Sequence, residues 1–183
     1  MKRAVFIVVC LVVSLIVSGW LALPRIKAVL RERIAANSRQ RNHLPDDALH
    51  ALVSDPALTL FSVDPDRGTV DPPDISTFHH WVILGQTTVG APEQRQKLAD
   101  TLQKGLSHWT GWESAACFSP RHAIRATNGS ETFDFLICFE CGHLHYYPPN
   151  SQERGLQIRT RAGPFDDILI AAGIPMPRQP RQQ

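Results

Sequence analysis

The longest apolar run comes first. Ala4 to Leu23 is twenty residues without a charged side chain, rich in Val, Ile and Leu, and a helix rising 1.5 Å per residue covers roughly 30 Å of hydrocarbon over that length. The pattern predicts one transmembrane helix inside an anchor at residues 1–24. A cleaved signal peptide is the rival, because Lys2 and Arg3 form a basic start, but such apolar cores usually span only about 7 to 15 residues. Cys10 follows Val9 and so makes a poor lipid-attachment site. In the basic stretch that follows, Ile26, Leu30 and Ile34 recur every fourth residue among arginines. Residues 25–43 therefore read as an amphipathic linker, lying along lipid headgroups or solvated.

Beyond residue 43 the periods alternate between those of helix and strand. Pro45 to Val53 predicts a short helix with Asp46 and Asp47 at its start, and Leu58 to Val63 a strand stopped by Asp64-Pro65. Phe78 to Val89 predicts extended chain, after which Pro92 opens a helix whose stripe is Leu98, Leu102, Leu106 and Trp109. Asn128-Gly129 between two extended runs is a strong hairpin signal. Counting pairs outward from a turn at those two residues sets Thr127 against Ser130 and Arg125 against Thr132. Ile124, Phe133, Phe135, Ile137 and Phe139 then share one apolar face, and Cys117, Arg121, Arg125, Asp134, Cys138 and Glu140 the other. Pro120 predicts a bulge upstream. His143 to Tyr147 and Leu156 to Thr160 are further strand candidates, and Phe165 to Ala172 is a last helix ending at Gly173.

The expected fold class is α+β: an N-terminal transmembrane helix, then a small soluble domain at 44–176 and a disordered tail at 177–183. The domain should hold a four- or five-stranded, mainly antiparallel sheet with two helices covering one face. A chain of 183 residues leaves room for one such domain. A net charge of +2 with 20% charged residues gives no argument for a nucleic-acid partner. The flanking basic residues slightly favour a cytoplasmic domain, whereas a basic start followed directly by a long apolar run is how many exported, membrane-tethered chains begin. The side stays open, with a lean toward an extracytoplasmic domain on a single-pass protein of the bacterial inner membrane.

The chemistry-bearing residues cluster late in the chain. Cys117, His122, Cys138 and Cys141 form a C-x4-H…C-x2-C set, and Gly142 follows the second pair as in many zinc knuckles. Zinc is the cofactor such a set would take, with His143 or His145 as substitute ligands for His122. A redox reading uses Cys138 and Cys141 as a reversible disulfide and Cys117 as the attacking or resolving thiol, with Arg121 and Arg125 lowering the thiol pKa values. A bland reading leaves the cysteines buried without ligands and pairs the arginines with Asp134 and Glu140. A hydrolase reading would take Cys117 as nucleophile, His122 as base and Asp134 as orienting acid. His79 and His80 read as surface residues, and Trp81, Trp109 and Trp112 as packing.

The blocks Leu60 to Pro65, Phe78 to Trp81 with Leu84 to Thr87, Ala116 to His122 and Ile137 to Cys141 resemble a family of bacterial membrane-tethered proteins that has no assigned activity. The resemblance spans about residues 58–142 and implies a tethered domain, but no catalytic residue. Two functional classes follow from the residues: a tethered binding or interaction module with a structural zinc site, or a thiol–disulfide redox protein. Its partners would be membrane lipid through residues 4–23 and a protein or small anionic ligand.

Overall fold

The computed structural model describes residues 26–27, 29–30, 32–33, 42–66, 76–108 and 117–177. The predicted span at 4–23 lies outside these, as do Trp109, Trp112 and the tail after Pro177. No described helix is long and apolar enough to cross a membrane. The chain divides into two units, 1–41 and 42–183. In the first, the described residues are helical and leave Ile26, Val29 and Leu30 about half exposed; Ile34 of the expected stripe lies outside the described residues.

The second unit is α+β. Its helices are α1 (Asp46–Ser54), α2 (Pro92–Ser107) and α3 (Gly163–Ala171). Seven strands, β1 (Thr59–Val63), β2 (Thr77–Phe78), β3 (Trp81–Thr88), β4 (His122–Asn128), β5 (Glu131–Cys138), β6 (His143–Tyr147) and β7 (Arg154–Gln157), form one antiparallel sheet curled into a half-barrel. Their order is β2-β3-β1-β4-β5-β6-β7. The unit begins at Asn42, whose buried side chain donates to the carbonyls of Leu106 and Gln157 and accepts from the Gln157 amide.

All three helices, rather than the two expected, pack on one sheet face. Leu98, Leu102 and Leu106 of α2, Ala48, Ala51 and Leu52 of α1, and Phe165 and Leu169 of α3 share a core with Ile124, Phe133, Phe135 and Ile137. Strict alternation in β5 produces that face, as the sequence predicts.

Three further expectations change. The sheet has seven strands rather than four or five, partly because the extended run from Phe78 is broken by a hairpin at His79-His80. The β4–β5 turn is Gly129-Ser130, with Asn128 paired to Glu131 and Arg125 to Asp134. Among these turn residues only Gly129 has positive φ, at 63°, which suits a turn with glycine first, whereas an Asn-Gly turn needs positive φ at both positions. Moving the turn by one residue shifts the pairing by two, so every side chain keeps its predicted face. Finally, the second face is not simply polar. The β2–β3 hairpin brings Phe78 and Trp81 onto it, where they join Phe61, Val63, Ala123 and Leu136 in a smaller core.

Candidate functional site

Around that smaller core runs a rim of titratable side chains. β5 and β6 pair Asp134 with Tyr147, Leu136 with His145 and Cys138 with His143, so all six project to the same side of the sheet. His79 reaches this rim from the β2–β3 turn. Its Nε2 lies 2.7 Å from Asp134 Oδ2 and its ring stacks on Tyr147 at 3.7 Å between centroids. The same carboxylate accepts two hydrogen bonds from Arg125, at 2.8 and 2.7 Å. Burial alone would raise the Asp134 pKa, but the Arg125 bonds and His79 outweigh it and hold the carboxyl below its ordinary range.

The turn that delivers His79 is strained. His79 and His80 have φ of 47° and 73°, a left-handed pair that costs roughly 1–2 kcal/mol per non-glycine residue. The contacts of His79 with Asp134 and Tyr147 offset that cost. The depressed pKa of Asp134 makes its contribution to stability complete above its unfolded pKa, about 3.9, and progressively lost as pH falls through the lower folded value. Asp134→Asn is therefore expected to destabilise the protein at neutral pH, with the gap from wild type narrowing below about pH 3.9. Urea denaturation at both pH values measures it. A gap that stays constant across that range would show that the carboxylate charge is not what matters.

A second ring pair lies beside the first. His145 stacks on Phe118 at 3.7 Å, and its Nδ1 meets Glu153 Oε1 at 2.6 Å. Burial lowers the His145 pKa against the pull of Glu153. The Tyr147 hydroxyl is raised by burial and by its hydrogen bond to Glu153.

The three cysteines meet at one end of the sheet. Cys117 Sγ and Cys141 Sγ are 2.7 Å apart, and the Cys141 amide donates to Cys138 Sγ at 3.1 Å. Cys141 is thereby the residue common to both contacts, through its sulfur to Cys117 and through its amide to Cys138. Gly142, with φ of 69°, turns the chain out of the C-x2-C loop, and a side chain there would press on the Ile158 carbonyl. Cys117 is exposed while Cys138 and Cys141 are buried. The expected arginine effect on these thiols is not found. Arg121 pairs with Glu140 at 2.6 Å and Arg125 with Asp134. The hydrogen bond with Cys141, then desolvation, raises the Cys117 pKa, and burial raises that of Cys141.

His122 does not join them. It sits opposite Ile137 on the helix-covered face, between the rings of Phe139 and Phe165, with Nε2 2.8 Å from Asp166 Oδ1. Its Nδ1 is buried without a hydrogen-bond partner. His122 and Asp166 line a cavity of about 120 Å³ with Ser119, Arg121, Phe139 and Glu140. The acid beside His122 is thus Asp166, not Asp134, and the Cys117–His122–Asp134 set is dispersed over both faces. Among the described residues no group of three or more His, Cys, Asp or Glu side chains is arranged to hold a metal ion.

Sequence reasoning missed His79, Tyr147, Glu153 and Asp166. Asp166 is 44 positions from its histidine, and only the packing of α3 under β4 joins them. Tyr147 was readable as a strand residue, and the period-two pattern of β6 already set it on the face of His143 and His145. Comparison with family models, with curated proteins and with solved structures finds no match to this chain.

Proposed function

We propose that this is a membrane-tethered thiol–disulfide protein whose working pair is Cys117 and Cys141, with an exposed attacking sulfur and a buried partner. The observation that carries the reading is the 2.7 Å contact between the two sulfurs. The pair differs from Cys138–Cys141, the one that C-x2-C spacing suggests. The co-reactant is a disulfide of a small molecule or a protein. The Cys117 thiolate attacks one of its sulfurs and displaces the other as a thiol, and Cys141 then attacks Cys117 Sγ and releases the remaining thiol. Two thiols of the chain become one disulfide and the acceptor disulfide becomes two thiols, so two electrons and two protons are transferred. Because both thiols are raised above their ordinary value, the attack should accelerate as pH rises toward and beyond 9. An extracytoplasmic domain would meet an oxidising compartment and carry this pair closed, whereas a cytoplasmic one would carry it reduced.

The test is peptide mapping of the full chain in a Cys10→Ser background, purified without reductant or treated with oxidised glutathione. A Cys117–Cys141 cross-link is expected, absent from Cys117→Ser and reversed by dithiothreitol. A Cys117 that enters no intramolecular disulfide at any time during oxidation would overturn the reading.

A structural zinc site is the second reading. Its support is the knuckle geometry, in which the Cys141 amide bonds Cys138 Sγ and Gly142 closes the loop at positive φ. Cys117, Cys138 and Cys141, which the structure does not hold in a metal-binding arrangement, would have to shift to become its thiolates. His143, paired across from Cys138, is better placed than His122 as the fourth ligand. Elemental analysis of the full chain purified under reducing conditions separates the two readings: about one zinc per chain favours this one.

A further inference from the structure

We infer that Cys138 is the last thiol of an internal relay, which draws the disulfide first formed at Cys117 into the protein and frees Cys117 to react again. This rests on the Cys117–Cys141 reading above and extends it to a third residue.

The argument starts from Cys141. Its sulfur lies 2.7 Å from Cys117 Sγ and its own backbone amide holds Cys138 Sγ at 3.1 Å, so either neighbour can form a bond to it without a change of fold. Cys138 and Cys141 flank a tight turn, and the Cα span of such turns, under about 7 Å, overlaps the roughly 4.4–6.8 Å that a disulfide requires. Accessibility gives the sequence of events a direction. Cys117 is exposed, Cys141 is 6% exposed and Cys138 only 1%, so an outside oxidant meets Cys117 first and Cys138 last.

The chemistry balances without another reactant. Cys138 thiolate attacks Cys141 Sγ, the Cys138–Cys141 bond forms, the Cys117–Cys141 bond breaks, and the proton given up by Cys138 ends on Cys117. No electrons leave the protein in this step. One disulfide has moved inward, behind the surface that outside thiols can reach, and an exposed thiol has been regenerated.

The experiment is a time course on the full chain in detergent micelles, in a Cys10→Ser background. Oxidised glutathione is added, samples are quenched in acid and alkylated, and the peptides are mapped after cleavage at Glu140, which separates Cys138 from Cys141. The Cys117–Cys141 cross-link is expected to rise first and then decline as Cys138–Cys141 accumulates and Cys117 becomes alkylatable again. In Cys117→Ser the Cys138–Cys141 bond should form at least about tenfold more slowly, since the oxidant must then reach buried sulfurs. A Cys117–Cys141 bond that forms and persists, with no Cys138–Cys141 in any sample, would overturn the relay and leave the two-thiol reading standing. Failure of Cys117 to enter any intramolecular disulfide would overturn both. Equal rates of Cys138–Cys141 formation with and without Cys117 would show that oxidant reaches the inner pair directly, and would also refute the relay. The wild-type time course needs no substitution among the three thiols, so a poorly folding variant does not compromise it.

Discussion

Phe135→Ala is expected to destabilise the folded domain by about 3–5 kcal/mol, the range for removing a fully buried aromatic side chain. Phe135 is 0% exposed in the middle of β5. It pairs with Ile124 on one side and Tyr146 on the other, and its ring lies 5.4 Å from that of Tyr146. Truncation would leave a hole where β4, β5 and β6 meet the helices, bordered by groups that the sheet holds in place. Chemical denaturation of the full chain in detergent, followed by tryptophan fluorescence, measures the change. Thr132→Ala, at an exposed position of the same strand, provides the control and should stay within about 0.5 kcal/mol of wild type. A cost below about 1 kcal/mol for Phe135→Ala would place that side chain outside the core and refute the β5 register.

The same strand shows why much of the fold was legible. The alternation from Phe133 to Glu140 specifies which side chains face the helices whatever the exact turn, because displacing a two-residue turn by one position changes the pairing by two and leaves parity untouched. That is why the pattern sets Arg125 on the face of Asp134 whether the turn is at Asn128-Gly129 or, as in the structure, at Gly129-Ser130. Parity also bears on His122. As an even-numbered neighbour of Ile124 it belongs to the helix-covered face, and the bulge expected at Pro120 was not enough to bring it across to Cys117. The His79-His80 turn was not legible, since left-handed turns ordinarily announce themselves with Gly, Asn or Asp. Two histidines there persist because tertiary contacts hold them, notably those of His79 with Asp134 and Tyr147. The cysteine cluster was half legible. C-x2-C brings two sulfurs near each other through local geometry, but the approach of Cys117 to Cys141, 24 positions apart, depends on how the chain enters β4.

Arg95 carries the other large effect, and its role is invisible in a helical pattern where an arginine four residues into α2 would ordinarily face water. It is 6% exposed. Its Nε donates to the Val53 carbonyl at 2.9 Å, and its Nη1 donates to the carbonyls of Val89 and Gly90 at 3.2 and 2.5 Å. Val53 lies in the last turn of α1, where carbonyls lack helical partners and where α1 has no basic residue of its own. Arg95 thus supplies a cation to the negative end of a neighbouring helix and ties it to the loop between β3 and α2. Arg95→Ala is expected to cost at least about 3 kcal/mol, because hydrogen bonds from a charged donor contribute roughly 1.5–3 kcal/mol each and three acceptors lose theirs together. Arg95→Lys should recover only part of this, since a single ammonium cannot reproduce the planar fork that reaches carbonyls on two elements. Arg95→Met retains an unbranched apolar stem and so separates packing from hydrogen bonding. Denaturation midpoints of the three variants against wild type give the comparison: the order expected is wild type, then Lys, with Met and Ala lowest. If Met proves as stable as wild type, the guanidinium bonds contribute nothing beyond the packing of the stem, and the attachment of α1 must rest on its apolar face, Ala48, Ala51 and Leu52 with Leu49 and Val53 beside them.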